Sequence, residues 1–463
     1  MKIKKTILFV SLFFIIQHIL YAQQSYSYFD TLTYRLYNQN KWDSVIFFAN
    51  KAIDQGVDYY YLRMRIGISY FSNKQYSQCL EHFLKAKEFN SNDIVDEYLY
   101  YSYLNSGRIR DAFYFTKQMN KILLKKNGLT QPHFIDLNVL EINNAHFNNW
   151  NYIKTYNKEP SEPNNYLLEK DITGDFISIG FNTNINLSKK YSWQHQFTFF
   201  KVNSYQQLFF DHAIKHENDY YLFEKHYYTS FSKWYDNKVF SYYTNLSVLN
   251  ADKYQYQYLN AIIAPPPFPP ISSYNYKIEP INYRLFNYIF GIQKTHFSPK
   301  SSFTYTLNYS KIIDQNVITG GFGFFYRFNS FIYGKSNVLT SINFKSKDLD
   351  GYIEQQFEII VLKKVTLNMN FYFGKIQNIT NLDGSIIYNT PYIIRTKISP
   401  QLNISINRHL SFNMGYIYQN NSYTNTFIGF DGFSKEGQII YSNFYETYKF
   451  NNQIITGGIL WKF

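Results

Sequence analysis

Five residues whose side chains could do chemistry fall between positions 211 and 219: Asp211, His212, His216, Glu217 and Asp219. Imidazole and carboxylate are ordinary ligands for divalent metals. Ligands four apart share a face only on a helix, and this polar segment reads as a loop, so solvated side chains and no metal are expected. Nucleophilic catalysis needs a nucleophile within reach of a base that is itself oriented. Ser is abundant, but no His can be joined to a particular Ser and carboxylate, so the chain is expected not to be an enzyme and to hold no cofactor. The run from Ala264 to Pro270 reads as extended polyproline in a stiff loop. Other ionisable residues are interleaved with apolar ones. Phe324, Tyr326 and Phe328 leave Arg327 on the opposite side; Val338, Ile342 and Phe344 do so for Lys345 and Lys347. Tyr392, Ile394 and Ile398 leave Arg395 and Lys397, and Ile353, Phe357 and Ile359 leave Glu354 and Glu358. If the apolar sides face lipid, these seven charges share a lumen. Five basic and two acidic groups would make a weakly anion-preferring passage, or would pair across the lumen and leave little open bore.

Such positions require strands. From Phe176 to Phe200 the chain alternates with a period of two on both sides of Ser188-Lys189-Lys190. Ile177, Ile179, Phe181, Ile185 and Leu187 interleave with Ser and Asn, and Tyr191, Trp193, Phe197 and Phe199 with Ser, Gln and Thr. That is a hairpin signal. Long strands with one apolar and one polar face suit a barrel in a bilayer.

The pattern recurs to the C-terminus. Short breaks fall at 235–238, 298–300, 334–337, 362–364 and 407–409; longer polar connections are expected near 211–219, 253–278, 378–390 and 420–437, and brief ones near 314–317 and 348–350. Alternating short and long connections fit a periplasmic and an outer rim. Closure with both ends on one rim needs a strand before Phe176, and His133 to Asn144 is the candidate. The expectation is about 14 strands, within 12–16. The chain ends Ile455, Gly457, Ile459, Trp461, Phe463, alternating to an aromatic residue. A soluble β-sandwich is the alternative.

The N-terminal part has another texture. Lys2, Lys4 and Lys5 precede an apolar run from Ile7 to Leu20, and Leu20-Tyr21-Ala22 suits cleavage, so 1–22 reads as a secretory leader. Residues 23–126 carry a helical repeat: aligning Trp42, Tyr76 and Ile109 superposes Val45, Cys79 and Ala112, with spacings of 34 and 33. The segments 38–41, 72–75 and 105–108 become turns between paired helices. The middle copy resembles a tetratricopeptide repeat, with Ile66, Gly67, Tyr70, Cys79, Phe83 and Ala86 at that family's packing positions. An unrelated helical bundle is the alternative. Residues 127–132 read as a linker and 133–463 as the barrel.

The expected fold class is therefore α plus β in separate domains, helical repeats followed by a transmembrane antiparallel barrel. This arrangement resembles tetratricopeptide repeats fused to an outer-membrane barrel, as in YaiO-like proteins and, more distantly, exopolysaccharide-export porins. The terminal aromatic strand resembles the signal that such barrels present to the barrel-assembly machinery. The resemblance implies an outer-membrane location with the helical domain in the periplasm.

Composition agrees: 48 Tyr and 44 Phe stand beside a single Cys, and the mean hydropathy is −0.37. The one cysteine has no intramolecular partner, so disulfides do not hold the chain. The net charge is +13, and losing the three leader lysines would leave 13 − 3 = 10. The basic residues are dispersed and the chain reads as secreted, so nucleic acid is not an expected partner. Expected partners are outer-membrane lipid, the assembly machinery, a periplasmic protein docked on the repeats, and an anionic glycan. The functional expectation is a non-enzymatic barrel for passage or export of envelope or surface-glycan material. The rivals are a sealed barrel that anchors the repeats and a barrel enzyme acting on lipid or glycan.

Overall fold

The structure is a computed structural model. It describes residues 26–147, 166–210, 213–262, 273–298, 300–329, 331–389, 392–407, 409–433 and 439–462. The expected leader, Asp211, His212 and the 264–270 run lie outside these residues. The chain divides into two compact units, with the boundary between Pro132 and His133.

The first unit is helical: α1 (26–38), α2 (Trp42–Asp54), α3 (Tyr60–Ser72), α4 (Tyr76–Phe89), α5 (Asp93–Asn105), α6 (Ile109–Phe115) and α7 (Lys121–Lys126). Trp42, Tyr76 and Ile109 open α2, α4 and α6, and Val45, Cys79 and Ala112 are buried beneath them. The turn before each of these helices passes through the left-handed region, at Asn40, Lys74 and Gly107 (φ 55°, 60° and 80°). The turn geometry thus repeats although only the third copy uses glycine. Gly67 on α3 lets α4 approach, since a Cβ there would lie 2.5 Å from Phe83 Cε1. Asn92 caps α5, its side chain accepting from the backbone N–H groups of Ile94 and Val95. His82 stacks on Tyr70 and lies 3.2 Å from the Arg63 guanidinium, which also pairs with Asp58. Burial, followed by the Arg63 charge, pushes the His82 imidazole down to about 4.

The second unit is a closed antiparallel barrel. Its strands are β1 (Ile135–Phe147), β2 (Tyr166–Asn186), β3 (Tyr191–Phe210), β4 (Ala213–Trp234), β5 (Lys238–Ile262), β6 (Ser273–Phe297), β7 (Ser301–Ile312), β8 (Gln315–Arg327), β9 (Ile332–Asn343), β10 (Leu349–Leu362), β11 (Val365–Ile376), β14 (Ile393–Ser405), β15 (Leu410–Phe433) and β16 (Ile439–Lys462). β12 (Ile379–Thr380) and β13 (Ile387–Tyr388) form a separate two-stranded sheet. The fourteen wall strands are each hydrogen-bonded to their chain neighbours, and β1 closes the ring against β16, with Leu140 opposite Trp461 and Ile142 opposite Ile459. The expected strand ahead of Phe176 is β1.

The alternation sorts the two faces as expected. Ile179, Phe199, Leu307, Phe373, Met414 and Ile459 are exposed on the outside, while their strand neighbours Ser178, Asn308, Tyr372 and Gln419 are buried within.

Three readings of the connections are corrected. The Gly334–Asn337 stretch has turn composition but lies inside β9, paired with β8 on one side and β10 on the other; cross-strand pairing overrides local propensity. The chain instead reverses between the end of β8 at Arg327 and the start of β9 at Ile332, where Asn329 Oδ1 accepts from the N–H groups of Phe331 and Ile332. The described residues of the polar stretches near 211–219, 253–278 and 420–437 are strand, since β4 begins at Ala213, β5 and β6 pair from Asp252–Asn282 up to Ile262–Ser273, and β15 runs to Phe433. These tall strands stand on one side of the ring, whereas the wall strands β7 to β11 and β14 have 12 to 14 residues each. The third correction concerns 378–390, which turns inward.

Candidate functional site: the lumen and its inward hairpin

The described residues 377–389 of the connection between β11 and β14 leave the rim opposite the short turns and fold into the barrel. Its tip touches the far wall. Asn245 on β5 donates to the carbonyls of Gly384 and Ser385 at 3.0 and 3.1 Å, and the Tyr228 hydroxyl on β4 donates to the Asp383 carbonyl at 3.3 Å. β4 stands seven places round the ring from β11 in either direction, so the hairpin spans the bore. Asn308 on β7 donates to Thr380 Oγ1 at 3.2 Å, and the Tyr352 hydroxyl on β10 donates to the Thr380 carbonyl at 3.1 Å.

Local chemistry makes the turn. Asp383 Oδ1 accepts from the Ser385 N–H, and Gly384 takes φ +72°, the left-handed region that glycine tolerates. A Cβ on Gly384 would overlap the Tyr243 ring, on which the tip rests. Tyr243 is held in turn by Thr306 Oγ1 at 2.8 Å and Asn308 Nδ2 at 3.2 Å. Apolar packing supplies the rest. Ile379 and Leu382 are buried with Leu339, Tyr352, Tyr372, Tyr392 and Ile394. Leu382 sits in a slot left by Gly321 and Gly323 of β8, where a Cβ on either would meet its methyl groups.

The hairpin fills the β7–β11 side and leaves a cavity of about 1100 Å³ along β1 to β6 and β14 to β16. The cavity runs from Lys462, beside the short-turn rim, to Lys253 and Tyr283. Its walls mix Phe147, Phe176, Ile417 and Ile454 with Asn182, Gln196 and Gln401. Lys253 Nζ lies 2.6 Å from Glu169 and 2.9 Å from Asp171. Glu224 Oε1 lies 3.0 Å from His226 Nε2 and accepts from Asn389 at 2.7 Å, tying the return limb of the hairpin to β4.

The seven charges expected in the lumen do not form one set. Lys397 and Glu354 lie on the inner face at mid-strand: Lys397 lines the cavity over the rings of Tyr372 and Tyr388, and Glu354 is buried, accepting from Asn337 and Gln356. Arg327 and Glu358 share the inner-face phase but are exposed near the short-turn rim, with Arg327 over Tyr333. Lys345 and Lys347 are exposed in the turn between β9 and β10, so their assignment to the lumen is corrected. Arg395 is corrected too: a register shift between Ile394 and Thr396 changes the phase of β14, placing Tyr392 and Ile394 inside and turning Arg395 to Ser422 Oγ at 3.3 Å. With Glu141, Asp171 and Glu224 against Lys253, Lys397 and Lys462 along the cavity, the basic excess counted from the sequence is not its charge balance. Lys253 was missed because its segment read as a connection, and Glu169 and Asp171 because the alternation was read only from Phe176 onward. The signal was present in Lys253, Gln255 and Gln257 alternating with Tyr254, Tyr256 and Tyr258.

His216 and Glu217, considered as metal ligands, are consecutive strand residues of β4 and so point to opposite faces. Glu217 Oε1 instead accepts from the Tyr205 hydroxyl at 2.6 Å and from Gln207 at 2.9 Å. Among the described residues no group of three or more His, Cys, Asp or Glu could hold a metal ion.

No family model matches the chain, and no curated protein matches it. Among solved structures, a Pseudomonas aeruginosa FadL homologue aligns at 8% identity and a TM-score of 0.43, covering 70% of this chain and 90% of that one. The Pseudomonas putida toluene transporter TodX aligns at 6% identity and a TM-score of 0.42, covering 71% and 89%. Salmonella typhi OmpF, in complex with daunomycin, aligns at 9% identity and a TM-score of 0.30, covering 71% and 97%.

Proposed function

We propose that this chain is an integral outer-membrane barrel through which a small solute passes beside the inward hairpin, and that its helix pairs are degenerate tetratricopeptide repeats that dock a periplasmic partner. The observation that carries the passage is the cavity of about 1100 Å³ left between the hairpin and the β1–β6 and β14–β16 wall. A membrane setting is supported by the apolar outer face and by ring closure, which leaves no unpaired strand edge in hydrocarbon. The repeat reading is supported by the 34- and 33-residue spacing of α2, α4 and α6 and by the packing of Gly67 on Phe83. β1 begins at the short-turn rim, so that rim is the periplasmic one. Movement of an envelope or glycan polymer, as against a small solute, requires the hairpin to withdraw.

Conductance of the purified full chain in a planar bilayer tests this. Small, steady conductance that rises when 379–388 are replaced by a short Gly-Ser link supports the passage. If neither form conducts, the barrel is a sealed anchor for the repeats, a reading favoured by the hydrogen bonds of the hairpin to the far wall. Recovery of the chain in the soluble periplasm refutes both.

A further inference from the structure

We propose that Lys397 and the apolar wall beside it form a seat for a small monoanion with an apolar body, of the aromatic carboxylate class. The seat deepens the passage reading and rests on it for its physiological sense, but its binding is measurable on its own.

Lys397 is a cation without a carboxylate. Its Nζ lies 5.0 Å from the Tyr372 ring centroid and 5.9 Å from that of Tyr388, on the wall of the cavity. Among the described residues no Asp or Glu is within ion-pair distance of it. Glu354 is two strands away, since Glu354 pairs with Tyr372 and Tyr372 with Lys397. It makes no ion pair with Lys397 and acts on it only as a charge at a distance, and both Glu354 oxygens already accept hydrogen bonds, from Asn337 and Gln356. The contrast is Lys253 in the same cavity, flanked by Glu169 and Asp171. A desolvated ammonium on ring faces alone keeps most of its attraction for an anion.

A neighbour of Lys397 also lacks a partner. Gln419, opposite it on β15, is 7% exposed, and its Oε1 has no hydrogen-bond partner. An anion seated at Lys397 would accept from Nζ, while Gln419 Oε1, an acceptor, is available to another Nζ hydrogen.

The apolar body follows from the register. Two residues from Gln419, Ile417 pairs with Ile454, which pairs with Phe147 on its other side; all three line the cavity. Two residues along a strand span about 7 Å, a length that a benzene ring with its carboxylate fills. One lysine without a paired carboxylate balances one charge, since Lys253 in the same cavity is already flanked by Glu169 and Asp171.

The test is calorimetric titration of the detergent-solubilised full chain with benzoate and with benzamide, its neutral isostere. Benzoate is expected to bind saturably and about tenfold or more tighter than benzamide. Lys397→Met should bring benzoate down to the benzamide level, Lys397→Arg should retain most of the preference, and Lys345→Met, in the exposed turn between β9 and β10, should leave it unchanged. Equal binding of the two probes, binding of neither, or full benzoate affinity in Lys397→Met overturns the seat. If Lys397→Met does not fold, as read by loss of its faster migration before boiling, the benzoate-to-benzamide ratio of the unaltered chain decides. A chain that conducts but does not prefer benzoate refutes the seat and leaves the passage; one that prefers benzoate but does not conduct refutes the passage and leaves the seat.

Discussion

Replacing Leu382 by Ala should loosen the inward hairpin without harming the barrel. Leu382 is 5% exposed and is the side chain that fills the Gly321–Gly323 slot. A buried Leu→Ala change costs about 2–5 kcal/mol; charged against the seated state alone, that raises the ratio of unseated to seated hairpin roughly 30- to 4000-fold at about 1.4 kcal/mol per tenfold. The lower half of the range is expected, because one side of the hairpin faces the cavity and water can fill part of the void. The hydrogen bonds from Asn245, Asn308 and Tyr352 remain, so the hairpin should flicker rather than stay out. Filling the slot from the other side has the same sign: Gly323→Val places methyl groups where the Leu382 methyls and Asn337 Oδ1 lie. Two variants of opposite steric sense should therefore both lengthen the open intervals of single channels, and Asn245→Ala added to Leu382→Ala should multiply the effect by about 10 for the two lost hydrogen bonds. Gel migration before boiling should be unchanged, since wall pairing is untouched. Both variants folding normally with the closed-state dwell time of the parent would refute the reasoning, because the hairpin would then not be the obstruction.

Other perturbations test the remaining layers. Ile179→Arg places a guanidinium on the outer face and should cost about 2–4 kcal/mol near the bilayer midplane, whereas Asn182→Arg, whose side chain lines the cavity, should cost far less; urea titrations in liposomes compare them, and equal costs would speak against a lipid-facing exterior. Gly67→Val should force α3 from α4 at Phe83 and expose the buried thiol of Cys79, read as faster labelling by a thiol reagent. The helical unit should also lose stability in acid. His82 is held neutral by burial, with a folded pKa of about 4, against roughly 6.5 unfolded. The stabilising contribution is therefore whole above about pH 7, falls as pH drops through 6.5, and levels off near 4, for a total of about 3 kcal/mol. The urea midpoint for Cys79 labelling should follow that curve and should flatten in His82→Leu; an unchanged curve in the variant would assign the acid sensitivity elsewhere.

The order of the architecture was legible along the chain because each part rests on periodicity. The period of two at 176–200 and 410–418 assigns residues to the inner or outer face of one strand. The spacing of Trp42, Tyr76 and Ile109 marks helices that need only their neighbours in the stack. What failed was anything decided by partners far along the chain. Gly334-Lys335-Ser336-Asn337 has the composition of a turn, yet β8 and β10 supply hydrogen-bond partners on both sides. One bulge at Ile394–Thr396 moved Arg395 off the inner face while leaving Lys397 on it, since a single extra residue reverses the phase of everything beyond it. The fate of 377–389 could not be read locally. Its Asn, Asp, Gly and Ser content is that of an exposed loop, and only closure of the ring brings Tyr228, Asn245 and the Gly321–Gly323 slot to where they can bind it. The sequence by itself determined a helical unit and a two-faced barrel; the tertiary structure alone decided that the bore is divided, and that Lys397 faces what is left of it.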